Sequence, residues 1–165
     1  MKTRVYIDTN IFIYAILHDP YYGEICGKIL RDMKYNIVDF YGSTFVAIEL
    51  LGSLSKIDQH VASKATSLYL QLPHRILSIS LKTIKIASII LQIINVKYDS
   101  IHLALMIENS IENIITNDTD DWFKIRDHFK DIVEKLEKNG FRIDLNEINV
   151  ITPNNYEEFK NKLRI

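Results

Sequence analysis

Apolar residues along this chain follow two patterns that alternate, one continuous and one periodic. Short runs of β-branched and aromatic residues are typical of buried strands, whereas apolar residues that recur every three or four positions are typical of amphipathic helices. Runs of the first kind predict strands at residues 4–8, 36–41, 75–79, 113–116 and 149–152.

The periodic segments between these runs predict helices. Asp19-Pro20 and Ser80 are start signals, because a capping side chain and a proline in the first turn favour helix initiation. Pro73 and Asn139-Gly140 are stop signals. The segment 44–56 is apolar nearly all round, which predicts a buried helix. The helices are predicted at residues 10–17, 19–33, 44–56, 58–72, 80–94, from 99 onward, 124–138 and from 154 or 155 to 163.

Strands that alternate with helices predict an α/β fold. We expect a three-layer α/β/α sandwich in which helices cover both faces of a mainly parallel central sheet. The chain shows no linker, internal repeat or low-complexity segment, so residues 1–165 are expected to form a single domain.

Composition and charge exclude several classes of protein. With 47% hydrophobic and 25% charged residues the chain is neither disordered nor fibrous. Its longest apolar stretch, residues 87–94, is far shorter than the roughly 20 residues of a membrane-spanning helix, and no secretory signal precedes the first strand. Cys26 is the single cysteine. These features predict a cytoplasmic protein without a membrane partner, while the net charge of -1 leaves the ligand undecided.

Acidic residues follow two of the predicted strands. Asp8 and Asp118 lie where parallel strands end, which is the edge at which ligands bind in open α/β sheets. Asp99 begins a predicted helix, and Glu49 lies within another. Two carboxylates about 4 Å apart repel by about 4 kcal/mol at an effective dielectric near 20. A divalent cation relieves that repulsion, and oxygen ligands favour Mg²⁺ or Mn²⁺ over zinc.

Each acid also has a purely structural interpretation. Asp8 could be a turn residue, Asp99 a helix N-cap, and Asp118 with its acidic neighbours a solvated turn. A surface position is least convincing for Glu49, which shares a helix face with Phe45 and is therefore expected to need a partner. His102 lies one helical turn after Asp99 and is expected to be a structural neighbour of the site rather than a catalyst.

Four segments, taken in order, resemble a PIN-domain nuclease. They are Ile-Asp-Thr-Asn-Ile-Phe at 7–12, Ala-Ile-Glu-Leu at 47–50, Tyr-Asp-Ser-Ile-His-Leu-Ala at 98–104 and Ile-Thr-Asn-Asp-Thr-Asp-Asp-Trp at 115–122. The resemblance implies a Mg²⁺ or Mn²⁺ site and hydrolysis of single-stranded or structured RNA. It implies that the catalytic, metal-binding acids are Asp8, Glu49, Asp99 and Asp118. It also implies that Asn10 and Thr116 support these acids by hydrogen bonding.

The resemblance further implies a toxin of the VapC type, held inactive by an antitoxin protein. Two departures from the family pattern stand out. Asp118-Thr119-Asp120 is followed by Asp121 and Trp122 instead of phenylalanine, so it stays open whether Asp120 or Asp121 is the auxiliary acid. The segment 122–147 is longer than a minimal domain of this type needs, and we interpret it as an embellishment that alters the choice of partner.

Other functions are less well supported by these residues. A domain of the same fold that processes or binds RNA without being a toxin is the main alternative. An aspartyl phosphohydrolase would want a second aspartate two positions after Asp8, where Asn10 stands. No pair of histidines has the spacing of a metal-free ribonuclease. Basic residues such as Lys97 could form an RNA track or simply solvate the surface. The chain has more apolar residues than one sheet must bury, which predicts a homodimer. The residues concerned are Tyr21, Tyr22, Phe45 and Tyr69.

Overall fold

Five short strands form the central sheet of the protein. The computed structural model describes residues 2–35 and 37–163. Its strands are β1 (Arg4–Ile7), β2 (Asp39–Ser43), β3 (Arg75–Leu77), β4 (Asn113–Ile115) and β5 (Asn149–Ile151). They lie in the order β3-β2-β1-β4-β5, and every pair of neighbours is parallel. β1 is central, and Val5, Tyr6 and Ile7 in it are fully buried.

Helices connect the strands and pack on the sheet. They are α1 (Thr9–Ile16), α2 (Gly23–Asp32), α3 (Thr44–Leu54), α4 (Gln59–Tyr69), α5 (Leu81–Ile90), α6 (Asp99–Glu108), α7 (Thr119–Asp127), α8 (Phe129–Lys138) and α9 (Tyr156–Lys162). Within the layers α1 packs on α2, α3 on α4, and α5 on α6. The predicted three-layer α/β/α sandwich is confirmed.

The bounds of several elements differ from the prediction. Asp19 does not begin a helix; its carboxylate accepts the backbone N–H groups of Tyr21 and Tyr22 in a turn, and α2 begins at Gly23. The second strand starts at Asp39, and Asn36, where it was predicted to start, lies outside the described residues. Ser80 caps α5 as expected, but the helix ends at Ile90.

The prediction that α3 is buried all round is wrong. Phe45 and Leu50 are buried, whereas Ile48 is 56% and Leu51 45% exposed. A helix in an outer layer can bury only the side that meets the sheet and its neighbouring helix. The opposite side of α3 therefore presents apolar residues to solvent.

The segment 122–147 begins within α7 and includes α8. Phe129, Ile132 and Leu136 on one face of α8 are buried, and α8 packs on α5. The charged residues on the other face explain why the segment appears polar in the sequence. Among the helices that the structure describes, none combines the length and the apolar character needed to cross a bilayer.

Candidate metal centre

Asp8 lies at the carboxyl end of β1, next to the carboxyl end of β4. Ile7 pairs with Ile115, so the residues that follow the two strands become neighbours. The Thr116 hydroxyl and the Asn10 amide donate to Asp8 Oδ2 at 2.6 and 2.7 Å, and the Thr9 backbone N–H donates to Oδ1. Asp8 thereby caps α1. The structural alternative for Asp8 was a turn residue; the structure shows a helix N-cap instead, and the same buried carboxylate also faces the site.

Asn10 and Thr116 join the two sides of this strand edge. Asn10 Nδ2 also lies 3.1 Å from Thr116 Oγ1, and Asn10 Oδ1 accepts the N–H of Asn117 at the same distance. The Thr116 hydroxyl in turn accepts the N–H of Asp118 at 3.0 Å. The supporting role that the resemblance implies for Asn10 and Thr116 is consistent with this hydrogen-bond network.

Glu49 enters the site from α3 and is half-buried. Its Oε2 accepts hydrogen bonds from the Thr9 hydroxyl and from His102 Nε2, the latter at 3.0 Å. Burial acts to raise the pKa of Glu49, but the hydrogen bond and the charge of His102 outweigh it and leave the pKa lowered. Burial would lower the pKa of His102, yet the acids around it raise that pKa. The surroundings of both groups therefore favour a carboxylate beside an imidazolium.

Asp99, Asp118 and Asp121 form the opposite side of the site. α6 begins at Asp99 with Tyr98 in the capping position, so Asp99 is not the N-cap. One carboxylate oxygen from each of the three aspartates lies within 4.8 Å of the others. Burial, together with the negative charges of Asp8, Asp118 and Asp121, raises the pKa of Asp99 to about 7.

A single cleft of about 320 Å³ brings the predicted acids together. Asp121 also faces this cleft, whereas Asp120 is exposed and does not line it. The cleft is lined by Asp8, Thr9, Asn10, Ile13, Glu49, Lys97, Tyr98, Asp99, His102, Asp118 and Asp121.

The donor set of this cleft fits a hard divalent cation. Carboxylate oxygens predominate, as Mg²⁺ and Mn²⁺ prefer, and several of them belong to half-buried groups that repel one another. His102 would offer a nitrogen donor instead of an oxygen, and its Nε2 is already hydrogen-bonded to Glu49.

Comparison with known proteins places the chain in a family. The sequence-family model of the PIN domain matches residues 5–128, and this range includes every residue of the cleft. The chain belongs to the PIN domain family. No curated protein matches the chain in sequence.

Solved structures with the same fold include VapBC2 and VapC20. VapBC2 from Rickettsia felis, crystallised with a DNA fragment from its promoter, is 18% identical, with a TM-score of 0.60 over 91% of this chain and 98% of that chain. VapC20 from Mycobacterium tuberculosis, a toxin that cleaves the sarcin–ricin loop, is 16% identical, with a TM-score of 0.61 over 73% of this chain and 94% of that chain. At these identities the likeness concerns the fold of the PIN domain.

Sequence reasoning missed how closely His102 and Thr9 approach the acids of this PIN domain. His102 is 1% exposed and contacts Glu49, with Nε2 also 3.8 Å from Asp8 Oδ1. The spacing from Asp99 to His102 shows only that both lie on one side of α6. The contact with Glu49 depends on how α3 packs beside α6, which no local pattern contains.

Proposed function

We propose that this PIN domain is an endoribonuclease that depends on Mg²⁺ or Mn²⁺. The observation that carries the proposal is the convergence of Asp8, Glu49, Asp99 and Asp118 on one cleft. Such a gathering of acids costs stability unless a cation compensates it. These four residues would hold the cation, with Asn10, Thr116 and Asp121 as supporting residues. Asp120 has no support from the cleft geometry.

The protein contributes fixed geometry to the reaction. A bound divalent cation would lower the pKa of the attacking water and neutralise charge that develops on the phosphate. Asn10, Thr9 and Thr116 hold the Asp8 carboxylate through its hydrogen bonds, so that it does not have to reorganise during the reaction. Thr9 and His102 hold Glu49 in the same way.

RNA as the substrate is supported by the rim of the cleft. Lys97 and Tyr98 line it directly beside Asp99, and Tyr98 is 68% exposed. A lysine suits a phosphate, and an exposed aromatic ring suits an unstacked base of single-stranded nucleic acid. Lys97 is also held at a φ of +41°, a costly backbone conformation for a residue other than glycine. We therefore propose that single-stranded RNA enters over this rim.

We further propose that the protein is the toxin of a toxin–antitoxin pair and forms a homodimer. The fold shared with VapBC2 and VapC20 supports this assignment. The four residues that the sequence predicts for the dimer do not all support it, because Phe45 and Tyr69 are buried within the chain and Tyr22 is half-buried. The exposed apolar side of α3 takes their place, together with Val61 and Leu68 on α4.

The proposed activity is tested by cleavage of RNA in chelator and after addition of Mg²⁺ or Mn²⁺. Chelator should abolish cleavage and either cation should restore it. Glu49→Gln should lower the single-turnover rate by orders of magnitude. Asp121→Asn and Asp120→Asn form a matched pair, of which the first should be the more damaging, since only Asp121 faces the cleft. Full cleavage in excess chelator would refute metal dependence, and tight RNA binding without cleavage would favour a binding module.

A further inference from the structure

His102 is bonded through both nitrogens of its ring. Nε2 lies 3.0 Å from Glu49 Oε2, and Nδ1 lies 2.8 Å from the hydroxyl of Tyr6. The rings of Tyr6 and Phe45 pack edge-on against the imidazole. A histidine with two hydrogen bonds and two ring contacts has a fixed orientation. Its Nε2 is thereby aimed at one oxygen of Glu49.

The contacts of Tyr6 extend this arrangement into the sheet. The Tyr6 hydroxyl lies 2.7 Å from Ser43 Oγ, and Ser43 caps the helix that carries Glu49 through the N–H of Val46. Tyr6 and His102 are both 1% exposed or less. A continuous series of hydrogen bonds therefore runs from the start of α3, through Tyr6 in β1 and His102 in α6, back to Glu49 on α3.

The two oxygens of Glu49 differ as a result. Oε2 accepts hydrogen bonds from the Thr9 hydroxyl and His102, whereas no donor of the described residues reaches Oε1. We propose that Tyr6 and His102 are positioning residues that hold Glu49 so that Oε1 is presented to a divalent cation. This inference rests on the proposed metal-dependent function and adds two residues, neither of them acidic, that set the affinity for the metal.

Partners that orient metal ligands commonly affect metal affinity 10- to 100-fold. Tyr6→Phe is the most informative variant, since it removes only the hydroxyl and keeps the ring that packs on His102. We expect it to raise the dissociation constant for Mn²⁺ by about tenfold or more. His102→Gln should have an effect at least as large, because it removes the imidazole that donates to Glu49 and packs against the rings of Tyr6 and Phe45. Excess Mn²⁺ should restore cleavage in Tyr6→Phe but not in Glu49→Gln.

The experiment measures Mn²⁺ binding to the full-length protein without RNA. Isothermal titration calorimetry, or the electron paramagnetic resonance signal of free Mn²⁺, gives the dissociation constant. Tyr156→Phe is the matched control, since it also removes a hydroxyl from a buried tyrosine, one that donates to Asp32 at 3.1 Å. It should bind Mn²⁺ like the unmodified protein. Should His102→Gln fail to fold, Tyr6→Phe still decides the question.

The outcomes separate this inference from the proposed function. Mn²⁺ binding that needs Glu49 but is unchanged in Tyr6→Phe would overturn the positioning role and leave the proposed function intact. Loss of binding in His102→Gln alone, with Tyr6→Phe unaffected, would show that His102 is itself a ligand and would also overturn it. Mn²⁺ binding unchanged in Glu49→Gln would remove Glu49 from the ligands and overturn the positioning role, whereas no Mn²⁺ binding by the unmodified protein would refute the proposed metal site itself.

Discussion

Asp8 and Asp99 are both acids of the same cleft, but their surroundings differ. Asp8 accepts hydrogen bonds from Thr9, Asn10 and Thr116, whereas Asp99 faces mainly other carboxylates. Both oxygens of Asp8 accept hydrogen bonds, so in Asp8→Asn the side-chain NH₂ group would face at least one of these donors. An asparagine at position 99 would remove only repulsion. The two substitutions should therefore have opposite effects on the stability of the metal-free protein.

The prediction is that Asp8→Asn lowers the free energy of unfolding in chelator by about 1–3 kcal/mol, the usual cost of a buried polar group left unsatisfied. Asp99→Asn should instead raise Tm, by about 2–4 °C for each kcal/mol of repulsion removed. Both variants should lose cleavage. Thermal and urea unfolding at pH 8 in chelator provide the measurement, and equal destabilisation by the two substitutions would contradict the assigned surroundings.

The pKa of Asp99 also predicts how stability depends on pH. Its value of about 7 in the folded chain lies above the ordinary value of 3.8, so the folded state holds a proton that the unfolded state releases. The stability that Asp99 contributes is thus present below about pH 4 and is lost as pH rises to about 7. In saturating Mn²⁺ the trend should reverse, because the cation binds the ionised form.

Urea unfolding between pH 4 and 8, with and without Mn²⁺, measures this dependence. Other groups titrate in the same range, so the quantity of interest is the difference between the unmodified protein and Asp99→Asn. That difference should grow in favour of the variant as pH rises in chelator. A difference that does not change with pH would show that Asp99 keeps its ordinary pKa.

The sequence is informative about the acids and less so about the groups that hold them. Asp8 and Asp118 could be placed because each follows a strand, and the register of β1 with β4 then makes them neighbours. Asp121 rather than Asp120 faces the cleft because α7 begins at Thr119, a bound that the sequence did not fix. The bond from His102 to Glu49 joins residues 53 positions apart on two helices. Such contacts follow from packing alone.

At the scale of elements, the strand runs and most helix starts are predictable because their causes are local. Ser80 caps α5 as the sequence indicates, and Asp58, where a helix was predicted to start, caps α4. The predicted helix start at Asp19 is wrong for a local reason too, since Asp-Pro equally favours the turn that the chain adopts. Exposure of Ile48 and Leu51 on α3 could not be predicted, because the sequence pattern of an exposed apolar residue on a helix is the same as that of a buried one.

The segment that leads into α6 combines a strained backbone with an exposed ring. Tyr98 packs on Phe45 and projects beside the acids, and Lys97 precedes it. We predict that Tyr98→Ala raises KM for single-stranded RNA, by an amount that corresponds to the roughly 1–3 kcal/mol of one stacked base. Tyr98→Phe keeps the stacking surface and should behave like the unmodified protein.

Single-turnover kinetics over a range of RNA concentrations separate binding from chemistry for these two variants. The rate at saturating RNA should change little in Tyr98→Ala, because the Tyr98 side chain packs on the Phe45 ring and, among the described residues, donates no hydrogen bond to a proposed metal ligand. A fall in that rate with KM unchanged would place Tyr98 in the chemistry instead. The same effect in Tyr98→Phe would point to the hydroxyl rather than to stacking.

For the whole molecule, the distribution of apolar residues bears on assembly. Ile48 and Leu51 are three positions apart on α3, and Val61 and Leu68 lie on α4, which packs against it. Exposed apolar groups on neighbouring elements are typical of protein interfaces. In a symmetric dimer one surface meets its own copy, so a single substitution enters the interface twice.

We predict that Leu51→Glu converts the proposed homodimer to monomer. Two buried, unpaired carboxylates would face each other across the symmetric interface, and the dimer dissociation constant should rise at least tenfold. Because Leu51 is 45% exposed in the monomer, Tm should change little once the chain is monomeric. Sedimentation velocity at micromolar concentration measures the change. Tyr35→Glu, at a residue 71% exposed outside α3 and α4, serves as the control and should stay dimeric. A monomeric unmodified protein would refute the homodimer, and a dimer that tolerates Leu51→Glu would remove α3 from its interface.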